Sequence, residues 1–146
     1  SSQDFTVAQL DYLHDSKANT IGALLLHLAA IERAYQLHTF NGVKWGDWDS
    51  HTRQRWNIPM GLGEKARKSI KGNELSFYLA QLSEVRAHTL KELRKRDDSW
   101  LMQMDQEWVW GPTNNYCKWF HVCEHESNHN GQIKWIKSRL PERLGS

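Results

Sequence analysis

Near the C-terminus, the stretch His121-Val-Cys-Glu-His125-Glu-Ser-Asn-His129-Asn-Gly-Gln-Ile sets two histidines four residues apart, in a segment whose pattern predicts one long helix from about Asn114 to Leu140. Residues at i and i+4 stack on one helix face with Cβ atoms roughly 5–6 Å apart, so two imidazoles can converge on one metal ion bound at about 2.0–2.1 Å. Traced by steps of three and four, the apolar seam runs Val122, His125, His129, Ile133, Ile136, Leu140, which turns both histidines toward a packed interior. An unpaired polar group there costs about 1–3 kcal/mol, so each ring needs partners. Carbonyls or carboxylates would satisfy a pair of core histidines; a metal ion would satisfy them together.

Two histidines do not complete a catalytic centre, which usually takes three protein ligands and leaves one position open. His121 lies about 12 Å along the helix axis from His129, too far to share an ion with it, and reads as a flanking group. The better third ligand lies in the other strongly apolar segment, whose seam runs Thr20, Leu24, His27, Ile31, Ala34, His38. His27 is again a polar residue on a core-facing stripe. Imidazoles aimed from different helices into one interior are a common way for helical bundles to build a site.

The elements that must carry these residues are read from seams and breakers. A chain of 146 residues fits one domain spanning 1–146, and the helical period of its long segments, with few glycines and prolines, argues for an all-α bundle without credible strands. A short helix is expected from Thr6 to Leu13, followed by a long one from about Thr20 to Phe40 that stops at Asn41-Gly42. Residues 43 to 60 read as a loop carrying Trp45, Trp48 and Trp56 and closed by Pro59, either a lid or a flap packed on the bundle side. A short helix from Glu64 to Ile70 precedes a longer one from Asn73 to about Lys95, with the seam Leu75, Leu79, Leu82, Arg86, Thr89, Leu93. Arg86 interrupts that stripe, either pairing with a buried carboxylate at the bundle edge or anchoring an anionic substrate group. Residues 97 to 113 read as a polar and aromatic connector.

Lysine and arginine number 19 against 17 acidic residues, a net charge of +2 with the signs interspersed, so the concentrated basic footprint of a nucleic-acid binder is missing. Cys117 and Cys123 project about 120° apart on the expected last helix and are not placed to bridge each other. Reduced thiols and the lack of a leader or of a run of 18 or more apolar residues fit a cytoplasmic protein that does not enter a membrane.

Two segments, Asn19-Thr-Ile-Gly-Ala-Leu-Leu-Leu-His27-Leu-Ala-Ala-Ile-Glu32 and Trp119-Phe-His-Val-Cys-Glu-His125-Glu-Ser-Asn-His129-Asn-Gly131-Gln132-Ile133, resemble the signature segments of the DinB-like superfamily. The resemblance implies a four-helix bundle that holds a divalent metal through one histidine of its second helix and two of its last, here His27, His125 and His129. The chain departs from that pattern in one respect: the family usually carries a full first helix, whereas here it is short or missing, which would leave part of the seam to be covered by the short helices, by an absent helix or by a second subunit in a homodimer. The activities it implies are thiol S-transfer or isomerisation with a low-molecular-weight thiol cosubstrate, or hydrolysis of a small molecule. The expected metal is zinc or nickel, which imidazole suits. Glu124, Glu126, Gln132 and Arg86 are the candidate helpers, with Glu126 also readable as part of a solvated face. The alternative function is a non-enzymatic bundle that binds metal or a ligand for stress sensing or stability.

Overall fold

The computed structural model describes residues 5–142 and 144. A long helix stands at the centre, with three others packed against it. The order is α1 (Val7–Leu10), α2 (Ile21–Asn41), α3 (Ser50–Gly61), α4 (Gly63–Ser69), α5 (Leu75–Leu93), α6 (Asp98–Met102), strands β1 (Met104–Asp105) and β2 (Thr113–Asn114), and α7 (Asn115–Lys137). The chain is an all-α bundle, decorated by one antiparallel pairing of Met104 with Asn114 and Asp105 with Thr113. Among the described residues no helix is long and apolar enough to cross a membrane.

Helix α2 is central because it is apolar nearly all round, burying Ile21, Leu24, Leu25, Leu28, Ala29, Ala30 and Ala34 against its neighbours. Thr20 caps its start by accepting from the Ala23 N–H at 2.9 Å, and Gly42 at φ 70° ends it in the left-handed conformation glycine tolerates. The expected short first helix is present as α1, with Thr6 and Gln9 forming a reciprocal capping box.

The expectation of a loop over residues 43 to 60 is corrected: Asp49 caps a three-turn helix, α3, by accepting from Thr52 N–H at 2.7 Å. Pro59 sits inside its last turn, where the missing N–H removes one helical bond without ending the helix. Only Trp56 and Pro59 of α3 are buried, so the helix shows little apolar periodicity. It packs on α2, as one of the three helices set around it. The 97–113 connector likewise contains α6 and the small β1–β2 pairing.

On α5 the buried face is Tyr78, Val85 and Thr89, with Leu75 and Leu82 half-buried, a small rotation from the expected seam. The cause is Gly22: a Cβ there would lie 2.5 Å from Tyr78 Oη and 2.7 Å from its Cζ, so the bare backbone admits a ring that is 0% exposed. Gly22→Ala should therefore destabilise the protein by about 1–3 kcal/mol, despite the helical preference for alanine. At Gly131, in the interior of α7, nothing lies within 4 Å of a Cβ, and Gly131→Ala should stabilise by about 0.5–1 kcal/mol. Urea midpoints of the two variants should move in opposite directions.

Candidate metal centre

Helices α2 and α7 bring together the three histidines expected from the sequence. His27 Nε2 lies 3.1 Å from His125 Nε2, and His129 Nε2 lies 3.0 Å from the same atom. Their nitrogens all fall within 4.8 Å of one another, and no fourth His, Cys, Asp or Glu joins them among the described residues. Three imidazoles held tetrahedrally on one divalent ion at about 2.1 Å would have their nitrogens about 3.4 Å apart, a few tenths of an ångström beyond the two short separations here.

The hydrogen bonds behind the rings decide what those nitrogens can do. His27 Nδ1 is 2.8 Å from the carbonyl oxygen of Pro59, which can only accept, so Nδ1 carries the proton and Nε2 presents a lone pair. His129 Nδ1 donates in the same way to Gln132 Oε1 at 2.6 Å, which leaves its Nε2 as a lone pair too. His125 Nε2 thus faces two acceptors, and one N–H could serve only one of them. A cation at the point of convergence satisfies all three at once. The residues present fit a divalent ion, by the chemistry of the donor set as well as by the distances.

Pro59 supplies its carbonyl because α3 ends there. The last carbonyls of a helix lack helical partners; that of Ile58 accepts from Leu62 N–H at 3.0 Å, and that of Pro59 is left for His27. Sequence reading missed this group, since it placed residues 43 to 60 in a loop. The signal that could have found it was Asp49 with Thr52 three residues later, a helix-start pattern.

His27 is buried and His125 half-buried. Burial, reinforced by the positive charge that His129 would carry, pulls the His27 imidazole below its ordinary pKa. His125 is lowered to about 4, first by burial and then by the neighbouring His129, His27 and His121. Both rings are therefore neutral at neutral pH, the state in which they can act as ligands. The metal-free chain has a corresponding pH dependence. Unfolded histidines take up protons near pH 6.5 while the folded ones resist, so stability is full above that pH and falls as pH drops toward 4. Thermal melts of the chelator-treated protein between pH 7 and pH 4 should show this loss, and His125→Gln should reduce it.

The remaining expected site residues are dispersed. Gln132 orients His129. Glu124 is exposed and lies 3.7 Å from His121 Nδ1, with no contact to the triad. His121, one turn before His125, has its ring centroid 6.5 Å away, as a flanking group. Arg86 lies on α5 at the groove edge, 47% exposed, where its Nε and Nη2 donate to the buried Glu32 at 3.1 and 3.0 Å and Nη2 also donates to Glu126 at 2.9 Å. Glu126 thus keeps a partly exposed position and also pairs with Arg86, both residues lining a cavity of about 550 Å³ bounded by α2, α5 and α7.

Glu32 also accepts from Thr89 Oγ1 at 2.6 Å, and Gln36 Nε2 donates to Thr89 Oγ1 and to the Val85 carbonyl at 2.8 and 2.7 Å. Glu32 and Gln36 were legible as two polar residues four apart in an apolar helix, a spacing that aims both at one neighbour. The whole network lies behind the metal-facing side of α2 and α7 and ties both helices to α5.

The family model described as mycothiol-S-transferase matches residues 3–140 of the chain. No curated protein and no solved structure matches it.

Proposed function

Because the chain belongs to the mycothiol-S-transferase family, a family of the DinB-like kind, we propose that it is a metal-dependent thiol S-transferase that joins the sulfur of a low-molecular-weight thiol to a small electrophile. The observation that carries this reading is the convergence of three imidazole nitrogens, two with lone pairs fixed by Pro59 and Gln132. His27, His125 and His129 are the ligands in this reading, and zinc or nickel is the ion. A divalent ion held there would supply Lewis acidity that keeps a thiol ionised near neutral pH, the form in which sulfur is nucleophilic. Three protein ligands, with no fourth His, Cys, Asp or Glu beside them among the described residues, support an open position of the catalytic kind rather than a closed structural shell.

The surrounding residues divide into orientation and bracing. The Pro59 carbonyl and the Gln132 amide fix the tautomers of His27 and His129, so those ligands do not have to lose a proton before binding. Arg86 and Glu126 are engaged with each other, and Glu124 is turned toward His121, so none of the three is placed to accept the thiol proton. That proton leaves to solvent. The new carbon–sulfur bond is balanced by departure of a leaving group from the electrophile, or by displacement of a π pair within it.

The test is thioether formation between mycothiol and 1-chloro-2,4-dinitrobenzene, followed by mass spectrometry with the zinc-loaded chain. Acceleration that disappears on chelation and in His125→Ala supports the reading. If the loaded protein accelerates the reaction with neither mycothiol, bacillithiol nor cysteine, the chain is a non-enzymatic metal- or ligand-binding bundle.

A further inference from the structure

Tyr35 is only 2% exposed as a residue, but its hydroxyl is not sealed in the interior: among the described residues the one buried side-chain atom left without a partner is Asp11 Oδ1. A tyrosine hydroxyl that opens onto a cavity can donate to water or to a ligand there. Tyr35 borders a cavity of about 470 Å³, a size typical of small-molecule sites, whose other walls include Trp108, Trp110, Pro112, Lys118 and His121.

The walls are braced in advance. Lys118, itself buried, donates to Asp105 at 2.7 Å and to His38 Nε2 at 2.9 Å, which pins the β1 end of the hairpin to α7 and α2. The same ammonium lies 4.6 Å from the Trp108 ring centroid. Trp45 packs edge-on against Tyr35, Trp108 and Trp110, with centroids 4.8, 5.2 and 5.7 Å away. Asp105 offsets the charge of Lys118, which leaves the Tyr35 hydroxyl as a neutral donor on the cavity wall. Burial pushes its pKa up to about 12, which keeps it protonated. His121, which lines the cavity, stands one turn before His125 with its ring centroid 6.5 Å from that ring, while Tyr35 lies two turns beyond His27.

Building on the transferase reading, we propose that this cavity is the electrophile subsite and that it takes planar, largely apolar compounds with an oxygen acceptor, aryl-conjugated carbonyl compounds being the matching class. Trp108 and Trp110 pack against the flat body, and the Tyr35 hydroxyl donates to the oxygen. In such a substrate the sulfur bonds to the β-carbon and the electron pair of the carbon–carbon double bond shifts toward the carbonyl oxygen. The bond from Tyr35 strengthens as that oxygen gains charge. A proton from solvent ends on the α-carbon, so the net reaction adds R–SH across the double bond without a redox partner.

The subsite is tested without turnover, by ligand-observed NMR titration of two unreactive probes, acetophenone and its acceptor-free counterpart ethylbenzene. Tyr35→Phe should weaken acetophenone about 3- to 10-fold, the worth of one hydrogen bond, and leave ethylbenzene unchanged. Trp110→Ala, at a position 68% exposed and so without consequence for folding, should weaken both. Absence of acetophenone binding to the wild-type chain, or equal affinity in Tyr35→Phe, overturns the assignment. Because neither thiol nor product is involved, probe binding with no thioether formation would sink only the transferase reading. Turnover with unaltered probe binding in both variants would sink only the subsite.

Discussion

His125→Ala should release the metal. Plasma mass spectrometry after dialysis without chelator is expected to find about one divalent ion per wild-type chain and less than about a tenth of that in the variant. His125 is the vertex of the site, since its Nε2 is the atom that lies 3.1 Å from His27 and 3.0 Å from His129. Without it the chain keeps two imidazoles from different helices, which suit a weak adventitious site. Loss of an outer partner of a ligand typically lowers affinity about 10- to 100-fold, and loss of the ligand itself should exceed that. Helicity by circular dichroism should persist, because His125 is only half-buried and the adjacent core is made by Val122, Ile133 and Ile136. His121→Ala should retain its ion. If it loses the ion instead, the ligand set is misassigned; if the wild-type chain takes up neither zinc nor nickel, the three rings are core histidines and not ligands.

What could be read from the sequence followed from helical period. Steps of three and four put His27 in the middle of one largely apolar stripe and His125 with His129 on another, and imidazoles set within two core-facing stripes are placed to meet. The same rule failed at α3, where Trp56 and Pro59 are the only buried residues and a proline near the end reads as a stop. It misplaced the face of α5 because a glycine on α2, not any feature of α5 itself, rotates Tyr78 inward. It left Arg86 undecided between two roles, because its partners Glu32 and Glu126 are 54 and 40 residues away, and one-dimensional spacing carries no information about such pairings. Tyr35 gave no signal at all: an aromatic residue in an apolar helix looks like core, and its place on a cavity wall emerges only once its neighbours are known.

Arg86→Ala should be the most damaging change outside the triad. The Glu32 side chain is 8% exposed and balanced by a two-nitrogen grip from Arg86; without it the carboxylate keeps only Thr89 Oγ1 at 2.6 Å. Breaking a fully buried pair costs about 3–5 kcal/mol, and since Arg86 is itself 47% exposed, solvent screening reduces the expectation to about 2–3 kcal/mol. Arg86→Lys should fall between, since an ammonium keeps the charge but cannot reproduce the planar fork. The second consequence concerns the metal. Glu126 is adjacent to His125, and Arg86 ties it to Glu32 on the helix that carries His27, so the clamp sets how far α2 and α7 stand apart. Its removal should weaken zinc about 10-fold in a chelator competition. The double variant Glu32→Leu/Arg86→Leu separates the two effects: it should recover most of the stability, because no buried charge is left unpaired, while zinc stays weak because α7 has lost its tether. Recovery of both would mean that the affinity loss in Arg86→Ala was only destabilisation, and a urea midpoint unchanged in the single variant would show that the pair adds nothing to the fold.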